Sequence, residues 1–193
     1  MKSIVVFCGS SEGYNETYKE TGYQLGAILA ERGYDLVYGG AKIGVMGAVA
    51  EGALQNGGKV TGVIPHFLRT KEVAHEDLSE MILTETMHER KLKMHELSDG
   101  IIAMPGGWGT LEELFEMMTW AQLGLHQKPI GLLNTNGFYE PLLALFHNMI
   151  EEGFLKEVFR EMIVVSEDVF ELLEKMENYV APNVPKWITK QTT

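Results

Sequence analysis

Three glycine-rich runs and one arginine in an unexpected place carry most of the chemistry this chain can offer. The longest run is Pro105-Gly106-Gly107-Trp108-Gly109-Thr110-Leu111-Glu112-Glu113. Its glycines open a turn, Thr110 is placed to cap the helix that follows, and two carboxylates fall in that helix's first turn. Acidic residues at a helix N-terminus gain about 0.3–1 kcal/mol from the macrodipole, which is a sufficient account of either one. The helical wheel separates them. Leu111, Leu114, Phe115 and Met118 make a core stripe, Glu112, Glu116 and Thr119 a polar one, and Glu113 shares its row with Met117, Trp120 and Ala121. A carboxylate in an apolar row is poor surface decoration, so Glu113 is the stronger candidate for proton transfer or charge stabilisation.

The arginine lies in Met87-His88-Glu89-Arg90-Lys91-Leu92-Lys93-Met94-His95-Glu96-Leu97. Positions 87, 90, 94 and 97 share a helix face and read Met, Arg, Met, Leu. Arg90 therefore points where a hydrophobic residue belongs. A buried guanidinium requires an anionic partner, a carboxylate or a phosphate, which it can hold bidentately. The bland alternative is a side chain that runs out to water along its aliphatic stem. Lys91 and Lys93 read as solvated, unless a substrate reaches Lys91.

Two further turns are built to let backbone approach a ligand. Gly9-Ser10-Ser11 follows the first strand and offers hydroxyls to a phosphate or sugar, or is an ordinary tight turn with a serine cap. Gly39-Gly40-Ala41-Lys42-Ile43-Gly44-Val45-Met46-Gly47 permits positive φ, and the amides at the start of its helix are expected to receive an anion. Neither run is the dinucleotide G-x-G-x-x-G pattern, and no Gly-Lys-Ser/Thr marks a Walker A loop. The six histidines (His66, His75, His88, His95, His126, His147) show no zinc spacing, so no metal site is expected. Cys8 ends a buried strand and reads as core.

These residues need a scaffold that gathers turns at one edge, and the apolar pattern supplies one. Short runs at Ile4–Cys8, Leu36–Tyr38, Val60–Ile64, Met81–Thr84, Ile101–Met104, Pro129–Leu133 and Ile163–Val165 read as strands. Helical segments at 17–32, 45–55, 87–97, 110–123, 138–152 and 169–179 alternate with them. Near-continuous Val, Ile and Leu strands between helices predict an α/β fold, a Rossmann-like doubly wound parallel sheet with helices on both faces. In such sheets ligands bind outside the carboxyl ends of the strands, where all three turns lie. Residues 1–180 are expected to form one domain. Residues 181–193, polar and interrupted by proline, are expected as a surface tail.

Composition narrows the partners. With 193 residues, 45% of them hydrophobic, the chain is long enough to bury a core without disulfides. The net charge of −11 argues against a nucleic-acid surface. No run approaches the length of a membrane span, the N-terminus carries no signal peptide pattern, and a single cysteine suits a reducing cytoplasm.

The glycine runs and the arginine helix together resemble the LONELY GUY (LOG) family of cytokinin riboside 5′-monophosphate phosphoribohydrolases, long mislabelled as lysine decarboxylases. Pro105 to Glu113 is similar to the family's P-G-G-x-G-T-x-x-E signature, Met87-His88-Glu89-Arg90-Lys91 to its M-H-x-R-K, and Gly39 to Gly47 to its G-G-x-x-x-G-x-M-G turn. Gly9-Ser10-Ser11 resembles its first-strand loop. The likeness runs from the first strand to about Tyr179. It implies a homodimer with the active site near the subunit interface, acting on a nucleoside 5′-monophosphate without a metal or organic cofactor. By position it makes Arg90 and Glu113 the catalytic pair. It gives substrate contacts to Arg90, Lys91, the segment from Gly107 to Glu113 (Gly107, Trp108, Gly109, Thr110, Glu112, Glu113) and Thr119, with Glu72 a further contact. Gly9, Ser10, Gly39, Gly40 and Gly106 complete the expected phosphate- and substrate-binding set. The rival readings are a nucleotide sensor or carrier without turnover, a pyridoxal-phosphate lysine decarboxylase, for which no lysine stands in a suitable setting, and an NAD(P) oxidoreductase, which lacks its fingerprint.

Overall fold

The computed structural model describes residues 1–69, 75 and 77–183. Its strands are β1 (Ser3–Phe7), β2 (Asp35–Tyr38), β3 (Val60–Pro65), β4 (Glu80–Thr84), β5 (Gly100–Ala103), β6 (Ile130–Leu133) and β7 (Ile163–Ser166). They form one sheet in the order β4-β3-β2-β1-β5-β6-β7, every pair parallel. The helices are α1 (Thr17–Glu31), α2 (Gly44–Gln55), α3 (Met87–Glu96), α4 (Trp108–Gln122), α5 (Glu140–Glu151) and α6 (Val169–Glu177). The fold is the expected Rossmann-like one. Among the described residues no helix is long and apolar enough to cross a membrane.

The sheet is the shared wall of two cores. Side chains alternate across each strand, so Ile4 and Val6 of β1 pack with Leu25 and Leu29 of α1 and Leu172 of α6. Val5 and Phe7 pack the other way, with Leu114 and Met117 of α4. Burial of β1 on both faces explains its unbroken apolar run. From β1 the chain winds outward to β4, then returns to the other side of β1 as β5. Strand order therefore reverses between β1 and β5, and the turns after these two strands meet where the Gly9 amide donates to the Pro105 carbonyl at 3.1 Å while their helices leave in opposite directions. That reversal is where open α/β sheets form a crevice.

Three local departures from the expected elements have physical causes. Helix α4 begins at Trp108 rather than Thr110, and Gly107 is its N-cap residue, with no side-chain cap. Thr110 is thus its third residue, buried rather than capping. Glu112 and Glu113 fall in the second turn, beyond the reach of most charge–dipole stabilisation. Helix α5 starts at Glu140, because Asn136 and Gly137 both take positive φ and Asn134 accepts from the Tyr139 amide through its side chain. Short 3₁₀ turns at His66–Leu68, Thr135–Gly137 and Glu157–Met162 carry too few residues to show a period in sequence. Residues 184–193, the greater part of the expected tail, lie outside the described residues.

Candidate active site

The crevice holds a cavity of about 250 Å³ at the carboxyl ends of β1, β2 and β5. Its walls are Cys8, Gly9 and Ser10 after β1, Gly39 after β2, Arg90 of α3, and Gly107, Trp108, Gly109, Thr110, Glu112 and Glu113 from the start of α4. Met46, Leu68 and Met87 form an apolar patch beside them. Arg90 and Glu113, on different helices, face the same space. A second cavity of about 250 Å³ adjoins it across Gly9, Ser10 and Gly107, towards Tyr18 and Phe138.

Arg90 is 5% exposed, so it does not run out to water. Its Nε donates to the Val63 carbonyl at 3.0 Å and its NH2 group to the Gly39 carbonyl at 2.9 Å. The cation is thereby fixed to the ends of two strands. Gly39 makes this possible: a Cβ there would sit 2.3 Å from the guanidinium nitrogen. An anionic partner could be expected from the helical wheel, but this backbone seat could not, since carbonyl direction is not visible there.

Glu113 is half-buried, next to Met117 and Ala121 on the side of α4 that enters the core. The buried stripe of α4 is Thr110, Leu114, Met117 and Ala121. Leu111, Phe115 and Met118, expected as the core stripe, are only partly buried. Phe115 and Met118 instead line an apolar groove with Phe146 and Met149 of α5. Below Glu113 lies Cys8. Burial first, and then the Glu113 charge, push its thiol well above the usual range, so it is an inert wall rather than a nucleophile.

The two long glycine turns differ in what their amides do. At α2, the Val45 amide donates to the Ser11 carbonyl at 3.4 Å and the Met46 amide to the Gly9 carbonyl at 3.2 Å. Gly44 takes φ +66°, and a Cβ on it would lie 2.3 Å from the Ser10 carbonyl carbon. The start of α2 is packed under the β1 loop, and the expected anion site there is not formed. At α4, no acceptor among the described residues takes the amides of Trp108, Gly109 or Thr110. A Cβ on Gly107 or Gly109 would meet nothing within 4 Å. This turn is the open one.

The remaining expected contacts are distributed around the cavity. Lys91 is 5% exposed rather than solvated, and its ammonium is held between Glu112 and Glu116 of α4. It is not part of the cavity wall. Lys93 lies at the surface beside Glu96. Gly40 lies behind the cavity, its carbonyl accepting from the His75 amide at 3.0 Å. Gly106 lines the adjoining cavity. Thr119 opens on the apolar groove, and its hydroxyl donates to the Phe115 carbonyl at 2.7 Å. Glu72 lies outside the described residues. Of the lining residues not anticipated from sequence, Met87 carried a signal: it sits three residues before Arg90 on the same helix face.

No lysine lines the cavity among the described residues, so it offers no amine for a Schiff base with pyridoxal phosphate. Among the described residues no group of three or more His, Cys, Asp and Glu side chains is arranged to hold a metal.

Comparison with known proteins gives the family. Residues 46–176 match a family model described as "possible lysine decarboxylase". The chain is 47% identical to the cytokinin riboside 5′-monophosphate phosphoribohydrolase LOG1 of Arabidopsis thaliana, over 93% of this chain and 84% of that one. It is 47% identical to the enzyme of that name, LOG, of Oryza sativa subsp. japonica, over 93% and 74%. Among solved structures it resembles the Moco carrier protein of Chlamydomonas reinhardtii, with a TM-score of 0.69 and 22% identity over 92% of this chain and 96% of that one, a likeness of fold alone. With those identities across nearly its whole length, the chain belongs to the LOG family of phosphoribohydrolases.

Proposed function

We propose that the protein hydrolyses the N-glycosidic bond of adenosine 5′-monophosphates, including N6-modified ones, to free base and ribose 5-phosphate. The activity for which the relatives are named supports the reaction class. The observation that carries the assignment to residues is that Arg90 and Glu113 face one cavity whose rim is the open N-terminus of α4. The unengaged amides of Trp108, Gly109 and Thr110, at the positive end of the helix, receive the 5′-phosphate. Departure of the base leaves positive charge on the ribose. Glu113, as carboxylate, stabilises that oxocarbenium-like centre and orients or deprotonates the attacking water, as carboxylates do in glycoside hydrolysis. Arg90, fixed by its two carbonyls, holds Glu113 or the ribose phosphate in register. One water is consumed per bond broken, and no organic cofactor enters the scheme.

The protein acts as a homodimer in this reading, and in the cytoplasm. The dimer is supported by apolar surface close to the cavity: Trp108 is 91% exposed, and the groove of Phe115, Met118, Phe146 and Met149 lies along the same helix. The test is to incubate the protein with AMP and N6-isopentenyl-AMP and separate the products. Free base with stoichiometric ribose 5-phosphate is expected. Tight nucleotide binding with no base released would replace the hydrolase with a nucleotide carrier or sensor.

A further inference from the structure

The proposed reaction places a phosphate dianion beside an acidic helix. Glu112, Glu113 and Glu116 lie within five residues of one another on α4, and Glu112 and Glu113 both line the cavity. Bringing a doubly negative ligand to that wall is unfavourable unless the carboxylates are compensated. The open amides of α4 contribute about half a positive charge at the helix end, and the Arg90 guanidinium faces the same cavity as Glu113, which leaves Glu112 and Glu116 to be compensated.

Lys91 supplies the compensation. Its Nζ contacts Glu112 Oε1 and lies 3.1 Å from Glu116 Oε2, one helical turn further on. The second contact pairs charge without hydrogen-bond alignment, since Glu116 Oε2 is buried and has no hydrogen-bond donor aimed at it. Burial works to lower the Lys91 pKa, and the two carboxylates more than offset it, so the ammonium is held above the ordinary lysine range. The pairing also has a mechanical side. Lys91 follows Arg90 on α3, and Glu112 precedes Glu113 on α4, so the link lies one residue from each member of the facing pair. At the far end of α3 the same two helices also meet through His95, edge-on to Trp120.

We infer that Lys91 is a positioning residue that never touches the substrate: by bridging Glu112 and Glu116 it removes their charge from the phosphate's surroundings and sets α4 against α3. This differs from the direct substrate contact that family resemblance implies. It rests on the reading of the cavity as a phosphate-ester site, and the two are separable by experiment.

Ribose 5-phosphate binding is measured by calorimetry, beside AMP turnover, for the wild type, Lys91→Met, Lys91→Arg and the triple variant Lys91→Met/Glu112→Gln/Glu116→Gln, each with its melting temperature. Lys91→Met is expected to weaken ribose 5-phosphate binding about ten-fold, less so at high salt, and to raise KM for AMP more than it lowers kcat. Lys91→Arg keeps the bridge and most of the affinity. The triple variant, with no charge left to compensate, is expected to return within about three-fold of the wild-type affinity. A direct contact predicts no such recovery. A triple variant that melts like the wild type and still binds as poorly as Lys91→Met overturns the proposal. If the triple variant does not fold, the Lys91→Met loss must shrink in high salt, and a salt-independent loss overturns it as well. A wild type that binds ribose 5-phosphate without cleaving AMP removes the hydrolase reading and leaves the role of Lys91 to be judged by the binding series alone. A wild type that binds no ribose 5-phosphate removes both.

Discussion

The turn after β2 and the turn after β5 are nearly equal in glycine content and opposite in purpose. In the first, glycines bring backbone against backbone: Gly44 fits under Ser10, and the Val45 and Met46 amides are consumed by the β1 loop. In the second, Gly107 and Gly109 face empty space, and three amides are left without an acceptor among the described residues. Gly44 thus serves close packing, and Gly107 and Gly109 serve clearance. An anion site needs the second arrangement, because amides already bonded to carbonyls have nothing left to donate.

The contrast can be broken in several ways. The largest effect is expected at the helix that the open turn begins. Glu113→Gln should lower AMP turnover by about 10²–10⁴-fold while leaving the melting temperature within a degree or two, because it removes a charge facing the cavity and no packing. Full turnover in that variant would detach the open turn from any chemistry. Next is Gly44→Ala. Positive φ and a Cβ driven into the Ser10 carbonyl should destabilise the fold by about 2–4 kcal/mol, read by urea unfolding. If stability were unchanged and nucleotide affinity fell instead, the closed turn would be a ligand site after all. A smaller effect is expected at Gly109→Ala. A methyl group there meets no protein atom, so stability should hold or rise by up to about 1 kcal/mol, while nucleotide affinity falls about three- to ten-fold. Loss of stability without loss of affinity would make both turns structural.

The smallest effect serves as a control on the other three. Helix α3 runs back from the carboxyl ends of the strands, so its last turn lies far from both glycine turns. There Lys128 donates to the His95 carbonyl, and His95 stacks edge-on to Trp120. Burial, then the Lys128 and His126 charges, press the His95 pKa down to about 4 from 6.5. The unfolded chain therefore binds the proton more readily. This contribution to stability is complete above about pH 6.5 and is lost as the pH falls towards 4. Melting temperatures measured between pH 7 and 4.5 should decline alike in the wild type and in Gly109→Ala, and less steeply in His95→Gln.

How much of this was legible beforehand depended on the range of the interactions. The seven strands and six helices could be read because each parallel strand is buried on both faces and announces itself as a short apolar run. The placement of Arg90 and Glu113 as anomalies could be read from single-helix periodicity. What could not be read needed a second element. The core stripe of α4 was misassigned because Phe115 and Met118 are as apolar as Leu114 and Met117, and only the position of β1 decides between the two faces. Burial of Lys91 depends on carboxylates 21 and 25 positions later in the chain. Closure of the β2 turn depends on the carbonyls of Gly9 and Ser11, more than 30 residues earlier.

The seat of Arg90 has one further consequence. A long cationic side chain free in a cleft surrenders about 1.5–2 kcal/mol of rotamer freedom when a ligand immobilises it. With Nε and one terminal nitrogen already bonded to Val63 and Gly39, that ordering is completed as the chain folds. In the proposed reaction a nucleotide would therefore meet a preorganised guanidinium plane, aimed by the ends of two β-strands, and would not have to supply that ordering from its own binding energy.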